Sequence, residues 1–318
     1  MFNRLDYRGA SKKRRFRYLE ILISGCVDGE FSIGTLRKAM GRRDFPVLDE
    51  LVPPYLMNVS GEAHDRLVYL LREVGFDRAK IRELRGSDEW GRAFAAYLLG
   101  LMRHKPAIPA LVKSARSNSN LVSFASASAL AGMGDSSALS DIHSHAENPL
   151  EPFLEMVACM DEELISVLED ERSEFRMKQV AMEALGAIGC YRAARPILRI
   201  GCDTDSYPIK TACIRVLGEL HYLKGVPFLL ECLEDESWAV RSEAVKSLGK
   251  MGGISLTAVI AGKLSDESRW VRYNSAHTLS DMGELGIRTL SDALYSGEEK
   301  IREAAWLALS RKGYFHPT

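Results

Sequence analysis

A leucine recurs along the chain at intervals close to 31 residues. These marker leucines are Leu99, Leu130, Leu185, Leu217, Leu248, Leu279 and Leu309. Successive gaps between them are 31, 55, 32, 31, 31 and 30 residues, and the gap of 55 fits two shortened or degenerate units. A fixed period of this length is the sequence signature of a repeat architecture.

Two further columns accompany the marker leucines. Four residues earlier lies a small-residue column: Ala95, Ser126, Ala181, Cys213, Ala244, Ser275 and Ala305. Eight residues earlier the position is apolar in most units (Val122, Met177, Ile209, Val240, Val271 and Ile301), with Gly91 as the exception. Offsets of four and eight place all three columns on one face of an α-helix. The small side chains on that face should let a neighbouring helix approach closely.

A glycine follows most marker leucines after four residues. This cap column contains Gly134, Gly189, Gly252, Gly283 and Gly313. Because glycine adopts the left-handed conformation at little cost, the column predicts the end of the first helix of each unit. Arg103 and His221 replace the glycine in two units, which we therefore expect to end differently.

A second apolar stretch and an acidic loop complete each unit. Examples are Val226 to Leu233 followed by Glu234-Asp235-Glu236, and Leu256 to Leu264 followed by Ser265-Asp266-Glu267. Acidic residues in such loops can cap the next helix. A helix pair of this size cannot bury its own apolar face and must stack on its neighbours. The prediction is an all-α fold, a right-handed α-solenoid of roughly eight to ten antiparallel helix pairs.

The organisation along the chain is less regular towards its beginning. We predict divergent N-terminal helical units, acting as a cap, over residues 1–86, and the repeat array over residues 87–318, with a degenerate unit near 150–175. Pro53-Pro54 should break the helical stretch Val47 to Met57, because an internal proline removes a helical hydrogen bond.

Two segments carry a resemblance to a known family. The residues Asp235 through Ala244 and Glu298 through Ala305 look like the bacterial short HEAT-like repeat, a pattern named partly from bilin lyase subunits. The resemblance implies that first helices line a convex side and second helices a concave, partner-facing side. It is specific for fold and weak for function, because one scaffold hosts many roles.

Charge and composition limit the classes of partner. The formal net charge is −1, but residues 1–120 carry 22 basic and 14 acidic side chains, a balance of +8. The basic run Lys12, Lys13, Arg14 and Arg15 is interpreted as a solvated helix start, with contact to an anionic membrane surface as the alternative. The apolar stretch that follows is too short to span a bilayer. Six scattered cysteines favour free thiols in a cytoplasmic protein, with any membrane contact at its inner face.

A mostly basic column lies seven residues before the marker leucines: Arg92, Lys178, Lys210, Arg241, Arg272 and Arg302. We interpret it as a set of ion pairs with acidic loops of adjacent units, the alternative being a grip on phosphates. Trp90, Trp238 and Trp270 precede this column and are interpreted as packing residues rather than as stacking platforms for bases. Trp306 lies on an apolar helix face and is predicted to be core.

No motif for catalysis, metal binding or cofactor binding stands out. His143 and His145 are two residues apart and do not share a helical face. The chain lacks a GxSxG motif, a phosphate-binding glycine loop and paired His-Glu dipeptides. We therefore predict a protein with no metal, no cofactor and no enzymatic activity.

The predicted function is a scaffold or adaptor that binds another protein on the concave face. Candidate partner-binding residues come from polar positions of the second helices: Arg195, Arg199, Glu231, Lys263, Arg288 and Tyr295. One alternative, implied by the family resemblance alone, is a bilin lyase-like subunit or a chaperone for a chromophore protein. A second is a HEAT-like nucleic-acid-binding protein, which the acidic loops disfavour.

Overall fold

A computed structural model describes residues 12–30, 32, 34, 38–134 and 160–314 of the chain. The chain divides into two compact units, unit 1 over Met1–Ala184 and unit 2 over Leu185–Thr318. Every regular element among the described residues is a helix. The prediction of an all-α fold of solenoid type is therefore confirmed.

Unit 1 is built of short helices joined by tight turns. These are α1 (Lys12–Val27), α2 (Phe45–Asn58), α3 (Glu62–Glu73), α4 (Phe76–Glu83), α5 (Glu89–Leu101), α6 (Ile108–Ala115), α7 (Asn120–Gly132), α8 (Asp161–Glu169) and the greater part of α9 (Phe175–Ala187). Short 3-10 turns, Arg42–Asp44 and Lys105–Ala107, precede α2 and α6. The acidic loop before α5 caps it as predicted, because the Asp88 carboxylate accepts from the amide of Gly91 at 2.9 Å.

Unit 2 is a regular succession of helix pairs. Its helices are α10 (Ala194–Asp203), α11 (Tyr207–Glu219), α12 (Val226–Glu231), α13 (Trp238–Met251), α14 (Ile254–Gly262), α15 (Arg269–Asp281), α16 (Glu284–Ala293) and α17 (Glu299–Arg311). The first helices α11, α13, α15 and α17 pack on one another in sequence, and α14 packs on α16. Single 3-10 turns, Tyr191–Ala193 and Leu223–Gly225, lead into α10 and α12.

The columns read from the sequence form the core. Each marker leucine is at most 1% exposed, and each residue of the small-residue column is fully buried. Contact between successive first helices explains this burial, since a small residue lets the next helix approach while the leucine fills the space beside it. The predicted stacking face is confirmed.

A further glycine column, directly after the marker leucine, permits the closest approach between first helices. A Cβ added to Gly100 would lie 2.9 Å from the Cα of Ala129, and one added to Gly218 would lie 2.9 Å from the Cα of Ser247. Because these Cα atoms belong to the backbone of the next first helix, a side chain at either glycine would push the two helices apart. The Leu-Gly dipeptide was visible in four units, but the column escaped the sequence analysis.

The cap column confirms one expectation and corrects another. All five glycines of the column adopt positive φ, as at Gly252 with 72°. Arg103 and His221 were expected to end their helices differently, and this was wrong: their φ values are 48° and 49°. The turn into the second helix fixes the left-handed conformation whichever residue occupies the position. The two repeats that contain Arg103 and His221 tolerate the resulting backbone strain.

This strain yields a stability prediction. Replacing His221 by glycine should stabilise unit 2 by about 1 kcal/mol, because the left-handed conformation costs a residue with a Cβ about that much. His221→Ala is the matched control, since alanine keeps the Cβ and should give no such gain. Urea unfolding followed by circular dichroism measures both. Equal stability of the glycine and alanine variants would show that the backbone at this turn is unstrained.

Two other expectations about single residues were wrong. Pro53 and Pro54 do not break a helix but lie inside α2, where both are buried. The apolar burial of Leu51, Val52 and other residues of α2 outweighs the missing hydrogen bonds. Trp306 was expected in the core but is 49% exposed.

The exposure of Trp306 follows from its place in the stack. Val245 and Ala276 occupy the same position relative to their marker leucines, and both are buried. The next first helix covers that position in α13 and α15. Within the described residues no further helix packs over that side of α17, so the indole remains open to solvent.

Candidate binding surface

Some members of the basic column connect one acidic loop to the next, and Arg241 makes the most complete connection. Arg241 donates from Nε and Nη2 to the two carboxylate oxygens of Asp266, both at 2.9 Å. Its remaining Nη1 donates to the carbonyl oxygens of Asp235 at 2.9 Å and Glu236 at 3.1 Å. One side chain thus bridges its own loop and the loop 25 residues later. Such bidentate arginine–carboxylate pairs are among the stronger hydrogen bonds.

The same connection recurs with local changes. Lys210 reaches Asp235 at 3.1 Å, and Arg92 donates to the Ser117 hydroxyl at 3.0 Å, each 25 residues ahead. The residue 25 positions after Arg272 is Gly297, which has no side chain to accept a hydrogen bond. Arg272 donates instead to carbonyl oxygens of its own loop, including that of Asp266 at 2.8 Å. The interpretation of the basic column as ion pairs between adjacent repeats is confirmed for Lys210 and Arg241.

Arg302 and the three tryptophans near the basic column make local contacts. Arg302 donates to the carbonyl oxygen of Ser296 at 2.7 Å. The Arg269 guanidinium lies 4.8 Å from the Trp270 ring centroid, and the Trp270 ring contacts Tyr273 edge-on at 6.2 Å. Trp90, Trp238 and Trp270 are all half-buried, as packing residues would be.

A buried carboxylate lies between the first helices of unit 2. Glu243 on α13 is nearly inaccessible, and its Oε2 lies 2.8 Å from Nζ of Lys246. Burial alone would raise its pKa, but the charges of Lys246 and Arg215 outweigh burial and lower the pKa below the ordinary glutamate value.

Glu243 therefore gives unit 2 a pH-dependent stability. A carboxyl whose folded-state pKa is depressed contributes stability above its unfolded pKa and loses it as the pH falls through the folded pKa. We expect Glu243→Gln to cost about 1–3 kcal/mol at neutral pH, as for hydrogen bonds to charged groups. The difference from the parent should shrink as the pH falls below about 4.3. Urea midpoints across this range test it, with the exposed Glu303→Gln as control; a constant difference contradicts it.

The predicted partner-binding residues lie on the second helices of unit 2 or within two residues after them. Five of the six are exposed: Arg195, Arg199, Glu231, Arg288 and Tyr295. Tyr295, which follows α16, is 90% exposed. Lys263 differs, because its Nζ pairs with Glu234 at 2.7 Å and its side chain is largely buried.

The N-terminal basic run is described only in part. The side chains of Lys12, Lys13 and Arg14 lie outside the described residues. Arg15 turns towards the protein, where its Nη2 lies 2.6 Å from Oδ2 of Asp44 and 2.9 Å from the carbonyl oxygen of Ala39. Contact of this run with an anionic surface stays a prediction.

Unit 1 contains a buried charge cluster that the sequence analysis missed. Lys80 on α4 is fully buried, and its Nζ lies 2.6 Å from Oδ1 of Asp49 on α2. The same ammonium lies 2.7 Å from Oε2 of Glu83. Arg176 on α9 donates from Nε to Oδ2 of Asp49 at 3.0 Å. The cluster thereby ties three helices together across 127 residues of sequence.

Two aromatic rings lie against the cations of this cluster. The Lys80 ammonium lies 5.1 Å from the ring centroid of Phe76 and 5.8 Å from that of Phe94. Burial opposes the charge on Arg176, but the carboxylates of Asp49 and Glu83 outweigh burial and raise its pKa. Two cations and two carboxylates balance in charge, which favours a structural role over ligand binding.

Metal and thiol chemistry gain no support in the described ranges. No group of three or more His, Cys, Asp or Glu side chains there could hold a metal ion. His143 and His145 lie outside these ranges. The five cysteines inside them are free thiols, and burial raises the pKa of Cys213 to about 12. None of the helices in the part of the chain that the structure describes is long and apolar enough to cross a bilayer.

Comparison with known proteins agrees with the repeat geometry. The family of HEAT repeats matches residues 205–261 and 226–310. This stretch covers four first helices of unit 2 and the loops that the basic column joins. The predicted resemblance to HEAT-like repeats is confirmed. No curated protein matches the chain.

Several solved structures are distant likenesses. The CpcE–CpcF complex of phycocyanin lyase from Nostoc sp. PCC7120 has 20% identity over 48% of this chain and 98% of that one, with a TM-score of 0.37. The Escherichia coli protein YibA has 15% identity over 82% and 93%, with a TM-score of 0.37. An engineered protein has 16% identity over 96% of each chain, with a TM-score of 0.35. What these proteins bind or catalyse does not transfer to this chain.

Proposed function

We propose that this chain, which carries HEAT repeats, is a non-catalytic scaffold that binds another protein through the second helices of unit 2. The observation that carries the proposal is that charged side chains of the first helices are paired within the protein, whereas several charged side chains of the second helices are exposed to solvent. First-helix cations such as Lys210 and Arg241 are engaged with the loop carboxylates Asp235 and Asp266. Second-helix residues such as Arg195 and Arg288 are exposed. These side chains are open to a partner without any change in the fold.

The composition of this face suits protein recognition. Arginine and tyrosine are the residue types that most often dominate the binding energy of protein interfaces. Arg195 and Arg199 lie one turn apart on α10, and Tyr295 extends beyond the end of α16. An acidic partner would complement the α10 end of the face.

Site-specific photo-cross-linking in cells tests the proposal. A photoreactive residue at position 195 or 288 should give a discrete protein adduct, and the same residue at the exposed loop position 172 of unit 1 should not. With the photoreactive residue at position 288, Arg195→Glu combined with Arg199→Glu should abolish the adduct, whereas Arg172→Glu should leave it unchanged. Adducts of equal intensity at all three positions, or none at 195 and 288, would contradict partner binding on this face.

Two alternatives differ in the support they have. Nucleic-acid binding is weakened because Lys210 and Arg241, two of the cations it would need, are paired with carboxylates. A lyase-like subunit stays an alternative prediction, based on the family resemblance alone. Change in the absorption spectrum of an added bilin on mixing with the purified protein would favour it over the scaffold.

A further inference from the structure

Four large side chains of unit 2 are exposed at positions that recur with the repeat period, although one of them, Tyr191, also packs edge-on against the buried ring of Tyr222 at 5.4 Å. Tyr191, Leu223, Ile254 and Leu285 are 59%, 67%, 80% and 40% exposed. Each lies two residues after the cap position of its unit, and they are separated by 32, 31 and 31 residues. We name these four side chains the turn-edge row, because they lie where each tight turn enters the second helix.

The turn itself does not require an apolar residue at this position. In unit 1, Gly75 also has a positive φ of 77° and directly precedes α4. The residues two positions after Gly75 and after the cap position Arg103 are Asp77 and Lys105. Single exposed apolar residues need no explanation, but a periodic series on one edge does. The row is therefore a feature of unit 2 and not of the repeat geometry.

The spacing of the row fits a helix better than an extended chain. Packed helices lie about 8–10 Å apart, so members of the row recur at about that interval. An α-helix returns the same face after seven residues, a rise of about 10.5 Å. An extended chain covers that distance in about three residues, and its side chains then alternate between opposite faces.

Charged side chains beside the row indicate the charge that a docked partner helix would carry. Arg192 and Lys224, both exposed, adjoin Tyr191 and Leu223 in sequence, whereas Glu284 adjoins Leu285. A partner helix would therefore carry carboxylates over the Tyr191–Leu223 end. An anionic lipid surface fits less well, because carboxylates such as Glu284 lie on the same edge as the row.

We propose that the turn-edge row docks an amphipathic helix of a partner protein that has apolar residues every seventh position and carboxylates near the end lying over Tyr191 and Leu223. This inference rests on the proposed scaffold function and adds the class of partner. The row supplies one apolar anchor per repeat, so the register of the partner follows the 31-residue period.

A peptide display library tests the proposal on the full chain. Its members are helical peptides of about 22 residues, long enough for four apolar positions in register, with Glu, Lys, Gln or Ala elsewhere. Enriched peptides should have Glu clustered towards one end. The pair Leu223→Ser and Ile254→Ser should weaken their binding roughly 100-fold, as loss of two interface anchors does. The control pair Trp306→Ser and Leu307→Ser, exposed residues within α17 and not at a turn, should leave binding unchanged.

Other outcomes overturn the proposal. These are failure to enrich any peptide, or equal binding to the row variant. Two further assays with the same variant reveal other occupants: row-dependent sedimentation with phosphatidylcholine–phosphatidylglycerol vesicles indicates a lipid surface, and row-dependent self-association a second copy of the chain. If the cross-linked adduct of the previous section survives the Leu223→Ser and Ile254→Ser pair but is lost with Arg195→Glu and Arg199→Glu, the scaffold function stands and the turn-edge proposal falls.

Discussion

Replacing Asp49 by alanine should destabilise unit 1 by about 3–5 kcal/mol, the usual loss when one partner of a buried ion pair is removed. Asp49 contacts both Lys80 and Arg176, and only Glu83 would remain to balance the two cations. Lys80 is fully buried and cannot recover the lost interaction from water. The effect should be confined to unit 1.

Glu62→Ala is the matched control for a carboxylate lost from an exposed pair. Glu62 pairs with Arg66 at 2.5 Å on the surface of α3, and its loss should cost less than about 1 kcal/mol. The combination of Asp49→Leu with Lys80→Met should recover most of the stability, because apolar replacement of a buried pair is often neutral. Urea unfolding with residue-resolved hydrogen exchange measures all three. Similar losses for Asp49→Ala and Glu62→Ala would show that the cluster is not buried as described.

Replacing the marker leucine Leu248 by alanine should destabilise unit 2 by about 2–5 kcal/mol, as large-to-small changes in packed cores do. Leu248 is fully buried between first helices. Leu223→Ala makes the same chemical change in the same unit, at a side chain that is 67% exposed. That control should change stability by less than about 0.5 kcal/mol.

Hydrogen exchange is the right measurement for the Leu248 comparison, because repeats contact only their neighbours and unfolding of two units need not be two-state. Protection should fall most in α13 and in the adjoining helices α11 and α15. Equal effects of Leu248→Ala and Leu223→Ala would contradict the stacking of the marker column.

The repeat geometry could be predicted because it depends on short sequence separations. The marker leucines and the small residues four positions earlier share one helix face, and each unit repeats the constraint. The ion pair of Arg241 with Asp266 could be predicted for the same reason, since cation and carboxylate both recur with the period. Where one unit departs from the pattern, its neighbours still identify the position, as the left-handed backbone of Arg103 and His221 shows.

The buried charge cluster could not be predicted in this way. Asp49 and Arg176 lie 127 residues apart, and neither occupies a position that recurs. Lysine is rarely fully buried unless it is paired, and nothing in the sequence around Lys80 reveals its partner. Only the packing of α2, α4 and α9 brings the four side chains together.

The turn-edge row was missed for a different reason. The spacing of Tyr191, Leu223, Ile254 and Leu285 was present in the sequence, but these positions were not aligned as a column, because the apolar stretches assigned to the second helices begin after them. Exposure depends on which side of the turn each residue faces, and periodicity alone does not determine it. Trp306 shows the same limit, since its burial depends on a covering helix.

Thiol labelling of the native protein most directly tests the stacking of first helices on their small-residue column. Cys213 belongs to that column and is fully buried, whereas Cys202 in the same unit is exposed. Burial also raises the pKa of the Cys213 thiol to about 12, so little reactive thiolate is present at neutral pH. Mass spectrometry of peptides after brief iodoacetamide treatment should find Cys202 modified and Cys213 untouched until denaturant unfolds unit 2. Modification of Cys213 at the rate of Cys202 under native conditions would contradict the stacked-repeat fold.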